Sequence, residues 1–102
     1  MPPVDHLAVI GGRWTLKILI ALLDGPMRFS DLRRRLGGIS AKQLTIRLSE
    51  LQSAGLLERV TLSSSAAINA YSLSLQIGSL GAALKILSAW EQEQQASRHG
   101  DG

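Results

Sequence analysis

Between Arg28 and Arg47 the chain gathers side chains suited to holding charge rather than breaking bonds. Arg28, Arg33, Arg34, Arg35, Lys42 and Arg47 stand there against Asp31 alone, a local balance of +5. The remainder carries five basic and seven acidic residues, so the overall +3 conceals a strong asymmetry. Guanidinium and ammonium groups crowded onto one stretch suit a polyanion, whose oxygens accept charge-assisted hydrogen bonds. Ser30, Ser40, Gln43 and Thr45 lie among them. Such short polar groups beside lysine or arginine have the donors and acceptors that base edges require: an amide for adenine, a cation for guanine or a phosphate.

Other chemistries find less to stand on. Asp24, Asp31, Glu50 and Glu58 are dispersed, Gly11-Gly12 is too short for a phosphate-cradling loop, and Ser63-Ser64-Ser65 reads as a polar tip rather than a nucleophile motif. His6 and His99 sit near opposite ends and there is no cysteine, so no metal site, disulfide, cofactor or catalytic role is expected. Four aromatic residues are few for a base-stacking platform, which assigns Trp14 and Trp90 to packing. With 102 residues, 45% of them apolar, the chain suits one domain. The longest apolar run, Ile18 to Leu23, falls far short of the ~20 residues of a membrane span. The N-terminus lacks signal-peptide character, so a cytoplasmic, nucleoid-associated protein is the expectation.

The elements that must position these groups follow from periodicity and stop signals. Val4 to Ile10 can form a short helix that Gly11-Gly12 ends, and Arg13 to Leu23 a longer one with Trp14, Ile18 and Leu22 on one stripe. Asp24-Gly25-Pro26 stops it, and Met27 to Phe29 leaves room for a very short strand. Ser30 is the expected N-cap of a third helix, with Asp31 in its first turn. After the Gly37-Gly38-Ile39 turn, Ser40 to Gln43 forms an S-x-x-Q capping box. It opens a fourth helix, which turns Leu44, Leu48 and Leu51 inward and ends at Gly55. The period then changes to two: Leu57 to Leu62, a polar tip, and Ile68 to Leu73 make a hairpin. A last helix runs from Gln76 to Gln95. On a wheel centred on Leu80, its apolar arc spreads through Trp90, Ile86 and Ala82 to about 200°, wider than one core-facing stripe needs. One folded unit, residues 1–95, is therefore expected, with a polar flexible tail over 96–102.

Two helices joined by a tight glycine turn, the second capped and lined with polar and basic groups, are the form of a helix-turn-helix. Off the leucine stripe, Ser40, Ala41, Lys42, Gln43, Thr45, Ile46 and Arg47 can face a major groove, with Ile46 suited to a thymine methyl.

The pieces "IGGRWTL", "LLDGPMRFSDLRR", "GISAKQL" and "GLLER" occur in an order and spacing that resembles the HxlR family of bacterial winged helix-turn-helix transcriptional regulators. The likeness is most specific from Ile10 to Val60 and looser beyond, where "YSLS" and a late tryptophan still fit. It implies a mainly α fold with a small β-hairpin as wing. It also implies a homodimer built by the first and last helices, with Leu7, Ile10, Ala82, Ile86, Ala89 and Trp90 at the interface. Two recognition helices would then meet a pseudo-palindromic double-stranded operator.

The resemblance has departures. Thiol sensing, used by some members, is excluded by the absence of cysteine. The wing "TLSSSAAINAY" lacks the usual basic tip, and "SLQIGSLG" does not carry the family's pattern at the start of the last helix. A dimer interface can hold a small apolar effector, although no polar constellation names one. The competing expectation is an interaction module, a winged helix that dimerises or docks on a partner without reading DNA sequence. Its motives are the uncharged wing and the wide apolar arc.

Overall fold

The computed structural model describes residues 4–62 and 68–100. Helix α1, His6–Ile10, is capped by Asp5, whose carboxylate accepts the Ala8 amide at 3.1 Å. Helix α2, Thr15–Ala21, continues into a 3-10 turn at Leu22–Asp24. It begins two residues later than periodicity predicts, because Trp14 takes a left-handed conformation at φ 74° and cannot belong to the helix.

The very short strand expected over Met27 to Phe29 shrinks to one antiparallel bridge. Met27 and Tyr71 exchange backbone hydrogen bonds of 3.0 and 2.8 Å. Pro26 offers no donor on one side, and helix α3 already begins on the other. That helix spans Phe29–Leu36, so its N-cap is the extended Arg28 and not Ser30, which falls inside the first turn. Arg28 holds the position through its backbone, its carbonyl accepting the Leu32 amide.

Helix α4, Ala41–Ser53, starts where the sequence places it, with Ser40 Oγ accepting the Gln43 amide at 3.0 Å. It stops in a Schellman arrangement: Gly55 turns left-handed, Leu56 N–H reaches the Leu51 carbonyl and Gly55 N–H that of Gln52. Strands β1, Leu57–Thr61, and β2, Asn69–Leu73, pair antiparallel in register Leu57↔Leu73 to Thr61↔Asn69. The polar tip expected at the hairpin's end lies outside the described residues.

Helix α5, Ser79–Gly100, starts after the left-handed Gly78 rather than at Gln76. It continues through the boundary at residue 95 where a tail was expected. Gln94, Gln95 and Ala96 are good helix formers, and no glycine or proline intervenes before Gly100.

Ile18, Leu19 and Leu22 from the second helical segment, Leu32 of α3, Leu44, Leu48 and Leu51 of α4, Leu57 of β1 and Leu84 of α5 form one buried cluster. The helix-turn-helix pair and the hairpin are anchored on that shared core, a mainly α winged helix with a two-stranded wing. Among the described residues no helix is long and apolar enough to cross a membrane.

Candidate nucleic-acid interface

The α3–α4 turn depends on two successive left-handed glycines, Gly37 at φ 56° and Gly38 at φ 90°. Ile39 then drops its side chain into the core, and Arg33 Nε donates to the Ile39 carbonyl at 3.1 Å. Arg33, expected as a phosphate ligand, thus also fastens the turn.

The other arginines have local partners as well. Asp31 accepts from both Arg28 and Arg34, each at 3.2 Å, and Arg35 reaches Asp24 at 2.6 Å. These pairs are exposed, and such pairs contribute about 0.2–1 kcal/mol, little enough for a phosphate to compete for the same guanidinium. Arg34 is the most open, its side chain 77% accessible. Besides its Asp24 pair, Arg35 borders a cleft between α2 and α5 with Lys17, Ile20 and Glu91, and it also lines a cleft with Arg28 and Arg34 of the expected set.

On α4 the outward residues are Ala41, Lys42, Gln43, Thr45, Ile46, Ser49, Glu50 and Ser53. Lys42 has no ion-pair partner among the described residues. Thr45 Oγ1 donates to the Ala41 carbonyl at 2.8 Å, which leaves its methyl and lone pairs for a ligand. Arg47 differs most from expectation. Its side chain is only 24% accessible and grips both carboxylate oxygens of Glu50 at 2.9 and 3.0 Å. Its other amino group lies 3.5 Å from Gln43 Oε1, so the glutamine faces Arg47 instead of closing the reciprocal half of the capping box. Three and four residues are neighbouring distances on a helix, so both contacts were available to a reading of i,i+3 and i,i+4 pairs.

An open cleft of about 690 Å³ lies beside the start of α4, lined by Phe29, Ser30, Arg33, Arg34, the two glycines, Ile39 and Ser40. It brings together Ser30, Arg33, Arg34 and Ser40 of the expected set. Arg28 lies instead toward Leu62, at the end of the described part of the wing. A second cleft, about 350 Å³, adjoins the same turn and is lined by Arg13, Trp14, Gly38, Ile39, Ser40, Gln43 and Arg47. Arg13 and Trp14 were not expected here, and only the packing of α2 against the turn places them.

Away from this surface, Leu7 is 78%, Ile86 70% and Trp90 53% exposed. Ala82 and Ala89 are also open, whereas Ile10 is half-buried against the core.

The family model described as HxlR-like helix-turn-helix matches residues 9–99. YtfH of Escherichia coli (strain K12), an HTH-type transcriptional regulator, is 44% identical over 59 residues, which are 58% of this chain and 47% of that protein. The HTH-type transcriptional regulator YtcD of Bacillus subtilis is 36% identical over 93% of this chain and 75% of its own length. The reduced form of the transcriptional regulator YodB from B. subtilis superposes with a TM-score of 0.67 at 34% identity, covering 90% of this chain and 83% of that one. YodB is also known in a quinone-bound structure.

Proposed function

The chain belongs to the HxlR-like helix-turn-helix family, and from that premise we propose that it is a homodimeric, sequence-specific regulator of transcription acting on a pseudo-palindromic operator. Helix α4 of each protomer enters a major groove, the two grooves about one turn, or ~34 Å, apart. The observation that carries this reading is the free outer face of α4, where Lys42, Gln43, Thr45 and Ile46 present a cation, an amide, a methyl and an aliphatic tip beside an arginine-lined cleft. Arg28, Arg33 and Arg34 position the duplex through its phosphates, and Lys42 and Gln43 discriminate bases. Arg47, held by Glu50, orients Gln43 and is not itself the principal reader.

Leu7, Ile86, Ala89 and Trp90 supply the dimer surface in this reading, Ala82 its margin, and Ile10 packs beneath it. A small-molecule effector fits the scheme by analogy with the quinone-bound YodB structure. A cleft of about 420 Å³ beside His6, Leu7, Ile10, Ile77 and Leu80 offers room near the first helix. The 102 residues contain no cysteine, so any response they make is non-covalent with respect to thiols. A regulator of this kind works in the cytoplasm on the nucleoid.

Selection of bound duplexes from a random pool at physiological salt tests the proposal, since specific binders exceed non-specific ones by ~10³ or more. An enriched inverted repeat with half-sites one turn apart is the expected result. A folded dimer that enriches nothing favours the second reading, an interaction module. That reading is motivated by the open apolar side chains of α5 and by the local commitment of Arg47 and Thr45.

A further inference from the structure

We infer that Arg13, held beside the start of α4 by Trp14, is a second phosphate clamp on the opposite side of that helix from Arg33 and Arg34. The inference rests on the DNA-binding reading and adds a contact that the basic stretch does not contain.

The two clefts flanking the turn share Gly38, Ile39 and Ser40 and diverge from there. One is bordered by Ser30, Arg33 and Arg34, the other by Arg13, Trp14, Gln43 and Arg47. A helix end lowered into a major groove has a sugar–phosphate strand on each side of it. The arginine run serves one of these sides. Arg13 is the exposed cation on the other.

Its charge is free to act. Arg28, Arg34, Arg35 and Arg47 all spend theirs on a carboxylate, whereas Arg13 has no acidic partner among the described residues. Its guanidinium lies 5.9 Å from the centroid of the Trp14 ring, and Lys17 Nζ 5.1 Å from the same ring. Stacking of this kind orders a flexible side chain without neutralising it.

The ring itself is well fixed. Its edge lies over the turn, 3.9 Å from where a β-carbon on Gly38 would stand. Trp14 adopts φ 74°, a conformation bulky side chains seldom take and one retained only where the surroundings impose it. The left-handed step turns the chain so that residue 13 faces the turn instead of adding another turn to α2. Arg47, whose Nε is enclosed without a hydrogen-bond partner among the described residues, borders the same cleft with its charge already held by Glu50.

The test is the salt dependence of binding to a labelled mixed-sequence duplex, for the wild-type protein, Arg13→Gln, Arg13→Lys and Lys85→Gln. Lys85 is an exposed cation of α5 with no ion-pair partner among the described residues, and serves as a remote control. Each phosphate contact contributes about 0.9 to the slope of log affinity against log salt. Arg13→Gln is expected to flatten the slope by about that amount for each bound protomer, with an unchanged melting temperature, while Arg13→Lys keeps it and Lys85→Gln does not alter it. A wild-type slope in Arg13→Gln, or equal flattening in Lys85→Gln, overturns the clamp and leaves the DNA reading standing. A wild-type protein with no salt-dependent binding to any duplex overturns both.

Discussion

Helices α4 and α5 handle their apolar residues in opposite ways. In α4 the stripe of Leu44, Leu48 and Leu51 is wholly inside the core, and what remains outside is polar or small apart from Ile46. In α5, almost twice as long, Leu84 is the one large apolar side chain fully buried among the described residues, while Ile86 and Trp90 stand open. Full burial of such a side chain is worth about 1.5–3 kcal/mol. Of the two helices, α4 therefore contributes more of that energy, and much of the apolar surface of α5 stays uncovered. A helix whose inner face is satisfied has its outer face available for a ligand, and a helix with open aliphatic and indole groups gains by meeting another protein surface.

The contrast predicts where each substitution is felt. The largest effect is expected for Leu48→Ala, which should lower unfolding free energy by about 2–5 kcal/mol in a denaturant melt. A change under 1 kcal/mol would mean that α4 is not the anchor it resembles. Trp90→Ala should leave folding nearly intact yet weaken self-association by about 2 kcal/mol, as buried interface tryptophans do, read by sedimentation across a concentration series. If association is unchanged, the dimer surface lies elsewhere.

Lys42→Ala should cost about 1–3 kcal/mol in operator affinity and broaden the selected base at one position of each half-site. A uniform loss over all sequences would reassign Lys42 to phosphate. Asp31→Asn is the mildest: exposed pairs are worth under about 1 kcal/mol, so stability barely moves. Release of Arg28 and Arg34 should nevertheless steepen the salt dependence of binding. An unaltered slope would place those two arginines away from the duplex.

Much of this molecule is legible in local sequence because its causes are local. Ser40 caps α4 since a hydroxyl three residues before an amide can reach it, and Gly55 ends it since glycine takes positive φ without cost. Even the Arg47–Glu50 pair, which changes the role of Arg47, could be foreseen from a spacing of three. The cap of α3 differs for the opposite reason, a cause that is not local. Ser30 has the right side chain, but the bridge between Met27 and Tyr71 fixes where extended backbone ends, and that bridge joins residues 44 apart.

Sequence by itself determined the helical periods, the stops, the alternation of the hairpin and the gathering of basic residues, because each depends on side chains within about one turn of one another. Tertiary structure alone decided the partner of Arg35 and which residues from outside the helix-turn-helix border α4. Arg35 meets Asp24 across eleven positions, and Trp14 reaches Gly38 across twenty-four. Such contacts are set by how α2 packs on the shared core, where burial of Ile18, Leu19 and Leu22 outweighs any preference of the exposed groups carried along with them.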